Sequence, residues 1–100
     1  MALEVTYKNK SIRKVCTNAN AARKEYGGEM AKKIHARIDQ ISAMDTVEEL
    51  VLFRIGRCHP LHGDREGQYA MDLVHPYRVV FTKIGNEIQI AEVQEIVDYH

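Results

Sequence analysis

The spacing of the apolar residues changes near residue 56, and this change constrains the fold more than any other feature of the sequence. Before it, Met30, Ile34, Ile38 and Ile41 recur every three or four residues, which predicts an amphipathic helix with one buried stripe. After it, apolar and polar residues alternate with a period of two, which predicts strands. The order indicates an α+β fold, in which N-terminal helices pack on one face of a curved antiparallel sheet.

Local signals predict the remaining N-terminal elements. The alternating stretch 3–7 predicts a short first strand, and residues 11–17 fit two helical turns. Asn18 or Asn20 can cap a further helix, which Gly27-Gly28 would break. The pattern from Thr46 to Glu49 is that of a capping box, so a short helix should begin there.

The second half of the sequence predicts four strands, at residues 57–61, 68–74, 77–83 and 88–99. In the third of these, Arg78 falls on the opposite face from the apolar side chains of Tyr77, Val79 and Phe81. Gly85-Asn86 predicts a tight hairpin. The alternation slips near Glu92, which indicates a bulge in the last strand.

Length and composition limit the class of protein. A chain of 100 residues with 45% hydrophobic and 28% charged residues fits a single globular domain spanning residues 1–100. The apolar runs are too short to span a bilayer, and the N-terminus lacks a signal peptide, so we expect a cytoplasmic protein without membrane contact. Cys16 and Cys58 lie far apart and form no CxxC pattern, which favours two reduced thiols.

The zero net charge hides an uneven distribution. Residues 8–37 contain nine Lys or Arg and two acids, whereas residues 83–100 contain one Lys and four acids. A basic first third is typical of a local surface for an anion such as nucleic acid, although a solvated helical face explains it equally well.

Three motifs occur in order along the second half. They are CHPLHGDREGQY at 58–69, HPYRVVF at 75–81 and IVDYH at 96–100. The series resembles the HigB-type toxins of the RelE/ParE toxin–antitoxin superfamily, in which HPLKGDRKG is followed by WRLTF or YRLVF and a terminal DYH. The resemblance covers essentially the whole chain.

This resemblance implies a RelE-like fold and a toxin that cuts messenger RNA on the ribosome without a metal or other cofactor. It also implies a partner, a HigA-like antitoxin with a helix-turn-helix domain, through which alone the toxin would reach operator DNA. The sequence departs from the family pattern at His62 and Glu66, which stand where the family has Lys. Two positive charges are thereby lost beside the expected site.

Metal-independent RNA cleavage uses the adjacent ribose 2′-OH as nucleophile, and it needs a base, an acid and cations near the phosphate. His100 is the first candidate for acid–base work, because imidazole titrates near neutral pH. Asp98 can orient an imidazole or act as base, and Tyr99 completes the terminal motif. The competing interpretations are a frayed terminus for His100 and a core or edge aromatic for Tyr99.

Arg78 suits bidentate phosphate binding, and Arg65 in the Gly63-Asp64-Arg65 turn is a second candidate. His62 can serve as an acid or partial cation, or it is a simple loop histidine. Lys32, Lys33 and Arg37 on the main helix can contact RNA phosphates, the antitoxin or only water.

Cys58, His59, His62 and Asp64 raise the question of zinc, but a second ligand pair at defined spacing is missing, so no metal site is predicted. Two functions other than an endoribonuclease stay open. One is a catalytically weak binding module that acts through an antitoxin–DNA complex, and the other is a ParE-like gyrase inhibitor on the same fold.

Overall fold

The computed structural model describes residues 2–98. Within these residues the helices are α1 (Lys10–Thr17), α2 (Ala19–Tyr26), α3 (Gly28–Ala43) and α4 (Val47–Leu52). The strands are β1 (Glu4–Tyr7), β2 (His59–Pro60), β3 (Gln68–Asp72), β4 (Tyr77–Ile84) and β5 (Ile90–Asp98). Short 3-10 turns occupy Ile55–Arg57 and Gly63–Arg65.

The strands form one sheet in the order β1-β5-β4-β3-β2. β2 to β5 pair antiparallel with their sequence neighbours, as an antiparallel meander requires. β1 differs, because it joins the edge of β5 in parallel, with Glu4 opposite Ile90 and Tyr7 opposite Val93. The predicted α+β class is confirmed, and the first strand makes the sheet mixed rather than wholly antiparallel.

Polar caps define the helix boundaries. The side chain of Asn9 accepts a hydrogen bond from the Ile12 backbone N–H at 2.9 Å, and Asn18 accepts one from Ala21 at 3.1 Å. Both bonds satisfy donors that the first turn of a helix leaves unpaired. The capping box predicted at Thr46 is complete, since its side chain and that of Glu49 bond reciprocally to the backbone.

The helices cover one face of the sheet and bury the core against it. α3 contributes Ile34 and Ile41, which are almost completely buried, as the apolar stripe predicted. From the sheet, Phe81 is fully buried and stacks on Tyr69 with ring centroids 5.6 Å apart. Burial of such large side chains is the main stabilising contribution of a domain this size. Among the described helices, none is long and apolar enough to cross a membrane.

The connection between β4 and β5 is longer than predicted. Instead of a tight turn at Gly85-Asn86, five residues separate Ile84 from Ile90. The Gln89 side chain explains the longer loop, because it accepts a hydrogen bond from the Val47 backbone N–H at 2.8 Å and so ties the loop to α4. The predicted bulge is confirmed: the register shifts at Val80/Phe81, which pair with Glu95 and Val93.

Candidate functional site

The two faces of the sheet differ in character. On β4, Val79 and Phe81 point into the helix-covered core, whereas Arg78 points to the opposite face, as the alternation predicted. Residues directly opposite one another share a face, so Arg78 is joined there by Asp72 of β3. We call this side, which carries Asp72, Arg78 and their neighbours, the open face.

A cleft of about 660 Å³ lies beside this open face. Its cationic lining residues are Arg54, Arg57 and Arg78, together with the imidazole of His59, and we call it the arginine cleft. Val51, Leu52 and Cys58 complete the lining. Three guanidinium groups around one concavity concentrate positive potential in a protein whose net charge is zero.

The turn that carries two of these arginines has an unusual backbone. Arg54 and Arg57 have φ of 53° and 56°, in the left-handed region that L side chains rarely adopt. Such a conformation costs about 1–2 kcal/mol per residue and is often found at functional sites. Between them Gly56, with φ of 57°, passes so close to α3 that an added Cβ would lie 2.6 Å from Arg37 Nε. A larger residue at this position would therefore force the Arg37 side chain to shift.

Arg37 of α3 packs against the turn at Gly56. Its Nε donates to the backbone carbonyl of Asp72 at 2.6 Å, and its Nη1 donates to Gln40 Oε1 at 2.9 Å. Burial lowers the pKa of the Arg37 guanidinium, and the nearby charge of Asp72 opposes that shift. The side chain thus joins α3 to the end of β3.

Asp72 also contacts two arginines of the cleft. Its carboxylate oxygens lie 3.5 Å from Arg57 Nε and 3.3 Å from Arg78 Nε. Arg57 is 82% exposed, whereas Arg78 and Asp72 are 33% and 26% exposed. One carboxylate therefore holds two guanidinium groups at the wall of the cleft.

The ring of His59 has a defined orientation. Its Nδ1 lies 2.9 Å from the backbone carbonyl oxygen of Arg57. A carbonyl oxygen only accepts hydrogen bonds, so Nδ1 carries the proton. In the neutral ring Nε2 is then the unprotonated nitrogen, which is the form that a general base requires.

The environment of the cysteine in the cleft disfavours its thiolate form. Burial raises the pKa of the Cys58 thiol to about 12, so the thiolate is scarce at neutral pH. Cys16 is shifted to about 12 for the same reason, and both thiols are free, as predicted. Within residues 2–98, no cluster of three or more His, Cys, Asp or Glu is arranged to hold a metal ion.

The predicted arginines lie at different distances from the cleft. Arg78 lines it. Arg65 is bound 3.2 Å from Glu95 Oε1 and 3.2 Å from Gln68 Oε1. Glu95 pairs with Val80, which lies two residues from Arg78 on β4 and on the same face. Arg65, bound to Glu95, therefore lies at the open face but does not line the cleft.

The predicted basic residues of α3 are separate from the cleft. Lys32 is exposed and lines a different depression together with Arg23 and His35. Lys33 is half-buried, and Arg37 makes the structural contacts described above. Their roles in binding RNA stay predictions.

The remaining predicted residues are not brought together with the arginines. His62 is exposed and precedes the Gly63–Arg65 turn, outside the lining of the cleft. Asp98 is exposed and stands opposite Tyr77, on the other face of β4 from Arg78. Tyr99 and His100 lie outside the described residues, so their catalytic roles stay predictions.

Solved structures share this architecture. A YoeB/ParE toxin from Agrobacterium tumefaciens superposes with a TM-score of 0.68 at 17% identity, covering 98% of this chain and 100% of its own. The YoeB of a YoeB–YefM complex and a YoeB dimer, both from Staphylococcus aureus, give TM-scores of 0.61 and 0.58. Each is 19% identical and covers 100% of this chain and 99% of its own. The chain has the YoeB/ParE toxin fold.

The likeness to this toxin fold rests on structure. No protein-family model matches the sequence, and no curated protein is similar to it in sequence. At these levels of identity, shared architecture does not transfer function, which has to be argued from the residues of the site.

Sequence reasoning missed three of the four polar groups that line the cleft of this YoeB/ParE-like domain. Arg54 and Arg57 were not singled out, and His59 was considered only as a zinc ligand. The available signal was the segment Arg54-Ile55-Gly56-Arg57, in which two arginines flank a glycine that permits a left-handed turn. Arg78 was found because strand alternation alone assigns it to the open face.

Proposed function

We propose that this chain is the toxin of a type II toxin–antitoxin pair, of the HigB-like kind, and that it cuts messenger RNA on the ribosome. The observation that carries the proposal is the arginine cleft: Arg54, Arg57, Arg78 and His59 converge beside the open face of a YoeB/ParE-like sheet.

The chemistry of the cleft fits a phosphodiester. Guanidinium groups bind phosphate oxygens in a bidentate manner, and they remain charged at all physiological pH values. A volume of about 660 Å³ lies within the range of small-ligand sites and accommodates a phosphate with part of its flanking nucleotides. The left-handed backbone at Arg54 and Arg57 sets the direction in which each side chain leaves the turn.

The proposed reaction uses the ribose 2′-OH next to the scissile phosphate as nucleophile. His59 Nε2 takes the 2′ proton, and the arginines stabilise the charge that develops on the phosphorane-like oxygens. The 5′ oxygen leaves with a proton supplied by His100 or Tyr99, as the terminal motif suggests. The products are a 2′,3′-cyclic phosphate and a free 5′-OH, and no metal takes part in these steps.

The proposed dependence on the ribosome follows from charge. With no net charge, the protein has little long-range attraction for free RNA, so a local cleft needs its substrate presented. A ribosome-bound message is held in a fixed geometry, which supplies part of the barrier reduction by positioning. Arg65, Lys32 and Lys33 are proposed to contribute secondary phosphate contacts, whereas the guanidinium of Arg37 is occupied by its contacts with Asp72 and Gln40.

The proposed partner is a small antitoxin of the HigA-like, helix-turn-helix kind, and operator DNA would be contacted through that partner. One structural neighbour is a YoeB toxin in complex with YefM, which supports an antitoxin partner for this chain. The site of action, on ribosomes and messages, would be the cytoplasm.

A reconstituted translation reaction tests the proposal. The purified chain should cleave a message only when ribosomes are present, and mapping should find 2′,3′-cyclic phosphate ends. Arg54→Gln and Arg78→Gln should each reduce the cleavage rate by about 10²-fold, the loss typical for one group that stabilises developing charge. Arg23→Gln removes the same charge from the exposed surface of α2 and should leave the rate unchanged.

Other outcomes would assign the other candidate functions. Intact messages and unimpaired translation, with tight binding to an antitoxin–operator complex, would favour a binding module. Arrested replication with DNA damage would favour a gyrase inhibitor. Equal cleavage by the Arg54, Arg78 and Arg23 variants would place the active site elsewhere.

A further inference from the structure

Asp72 occupies a position that the proposed reaction does not use directly. It is the last residue of β3, directly opposite Arg78. Three arginines from three separate segments contact it: Arg37 at its backbone carbonyl, and Arg57 and Arg78 at its two carboxylate oxygens. Such convergence on a single acid, itself only 26% exposed, exceeds what one surface ion pair provides.

The carboxylate contacts the arginines from the side away from the arginine cleft. Among the described residues that line the cleft are Arg57 and Arg78 but not Asp72. A smaller cavity of about 180 Å³ is lined by all three, together with His75 and Tyr77. Arg57 and Arg78 therefore lie between the two cavities, and Asp72 contacts both of them from the side of the smaller cavity.

We propose that Asp72 is the positioning residue of the arginine cleft, which fixes Arg57 and Arg78 at the separation that the two sides of one phosphate require. This inference rests on the proposed function. Two guanidinium groups repel each other, and a negative charge beside both offsets that repulsion. Asp72 supplies that charge, with its two carboxylate oxygens 3.5 Å from Arg57 Nε and 3.3 Å from Arg78 Nε.

Arg37 sets the position of Asp72 in turn. Its bond to the Asp72 carbonyl holds the end of β3, and its stem packs against Gly56, between the two left-handed arginines. Arg37 thereby connects α3 both to the end of β3 and to the turn that carries Arg54 and Arg57. A carboxylate at 72 acts through the arginines and does not need to touch the substrate.

The central test is Asp72→Asn in the ribosomal cleavage reaction. The amide keeps the shape of the side chain and leaves the backbone bond from Arg37 in place, but it removes the charge. We expect kcat to fall at least tenfold while KM changes less than threefold, because anion attraction persists and orientation is lost. Asp72→Glu should restore part of kcat. Asp39→Asn, an exposed change on α3, should alter neither constant.

A double-mutant cycle separates positioning from a general effect on structure. If Asp72 acts through Arg57, then Asp72→Asn combined with Arg57→Gln should have a kcat within threefold of Arg57→Gln alone. Effects that multiply, or a wild-type kcat in Asp72→Asn, would overturn the inference. Thermal unfolding must show that each variant is folded, and if Asp72→Asn unfolds, it is replaced in the same cycle by Asp72→Ser, which also removes the charge.

A readout independent of activity distinguishes failure of this inference from failure of the proposed function. In 15N-labelled protein, exchange of the Arg78 Nε–H with water should be slowed by the Asp72 contact, and Asp72→Asn should abolish that protection. If the wild-type chain cleaves no message, the proposed function fails, and the Nε–H signal alone decides the inference. If that signal exchanges equally fast in both proteins, Asp72 does not position the arginines.

Discussion

The two faces of the same sheet serve different purposes. On the helix-covered face, Val79 and Phe81 are almost completely buried, and no residue of β4 has a positive φ. Beside the open face, the turn that carries Arg54 and Arg57 is in left-handed conformations, and like charges stand close together. Burial supplies the free energy that keeps the domain folded, and part of that stability maintains strained geometry at the cleft. Substitutions on the two sides should therefore differ in kind.

The largest expected effect lies on the covered face. Phe81→Ala removes a fully buried ring and its stacking on Tyr69, and it should reduce the free energy of unfolding by about 3–5 kcal/mol. Urea denaturation followed by circular dichroism measures the change. Ile88→Ala removes an apolar side chain that is 75% exposed, and it should shift the free energy by less than about 0.5 kcal/mol. Similar losses for both would contradict the assigned core.

The second largest effect concerns the contact between Gly56 in the turn and Arg37 on α3. Gly56→Ala places a methyl group against the Arg37 side chain at a φ of 57°, so it should cost about 2–3 kcal/mol and misplace both neighbouring arginines. Gly63→Ala, at a φ of 69° with nothing within 4 Å, carries only the backbone cost of about 1 kcal/mol. The pair isolates the contact with Arg37. Equal losses in urea denaturation would show that this contact has no energetic weight.

The third prediction is that replacing Arg57 by glycine stabilises the domain, although glycine usually lowers the free energy of unfolding. Arg57→Gly relieves a left-handed residue, and the ion pair that it loses is highly exposed, so stability should rise by about 0.5–1 kcal/mol. The affinity for a non-cleavable oligonucleotide should meanwhile fall about tenfold. Arg23→Gly, within α2, should destabilise the domain by about 1 kcal/mol without affecting that affinity. Loss of stability in Arg57→Gly would show that the turn is not strained.

The smallest effect concerns an ion pair away from both regions. The pKa of Glu48 is lowered mainly by the hydrogen bond from Lys83 and next by the one from Gln89. The stability that ionised Glu48 adds to the fold is therefore present above the unfolded pKa and lost as pH falls through the folded pKa. The pKa of Lys83 is raised by Glu48, and that contribution disappears only as pH rises through the folded value. Because Glu48 is 57% exposed, we expect Glu48→Gln to cost a few tenths of a kcal/mol near pH 7.

The pH dependence of unfolding provides the check. The stability difference between wild type and Glu48→Gln should shrink as pH falls below the ordinary range of a carboxyl group. A difference that is constant from neutral to strongly acidic pH would mean that the charge of Glu48 contributes nothing to folding.

The same contrast between regions explains what the sequence could predict. The stripe of α3, the capping box at Thr46 and the alternation of β4 are local patterns, and each was confirmed. The hairpin predicted at Gly85-Asn86 forms, but the tight turn was wrong, because the loop is held by Gln89 bonding to α4, a contact between residues far apart in sequence. The parallel addition of β1 to β5 is likewise invisible to local patterns.

The site follows the same rule. Arg78 was predicted because a period of two assigns its face, whereas Arg54, Arg57 and Asp72 were not, because their convergence depends on a turn with positive φ. The turn also depends on Arg37, which packs against Gly56. Arg37 lies on α3, whose basic residues the sequence analysis had interpreted as possible contacts to RNA. Local chemistry identifies candidates, but tertiary contacts decide which of them meet.

The position of β1 has a consequence for the chain while it is being synthesised. β1 is made first, yet its only strand partner within residues 2–98 is β5, where Glu4 meets Ile90. Residues so far apart in sequence must wait for one another, so the sheet stays incomplete until β5 has been synthesised. During synthesis β1 therefore stays without its strand partner while β2, β3 and β4 emerge, and it can join the sheet only after residues 90–93 have left the ribosome.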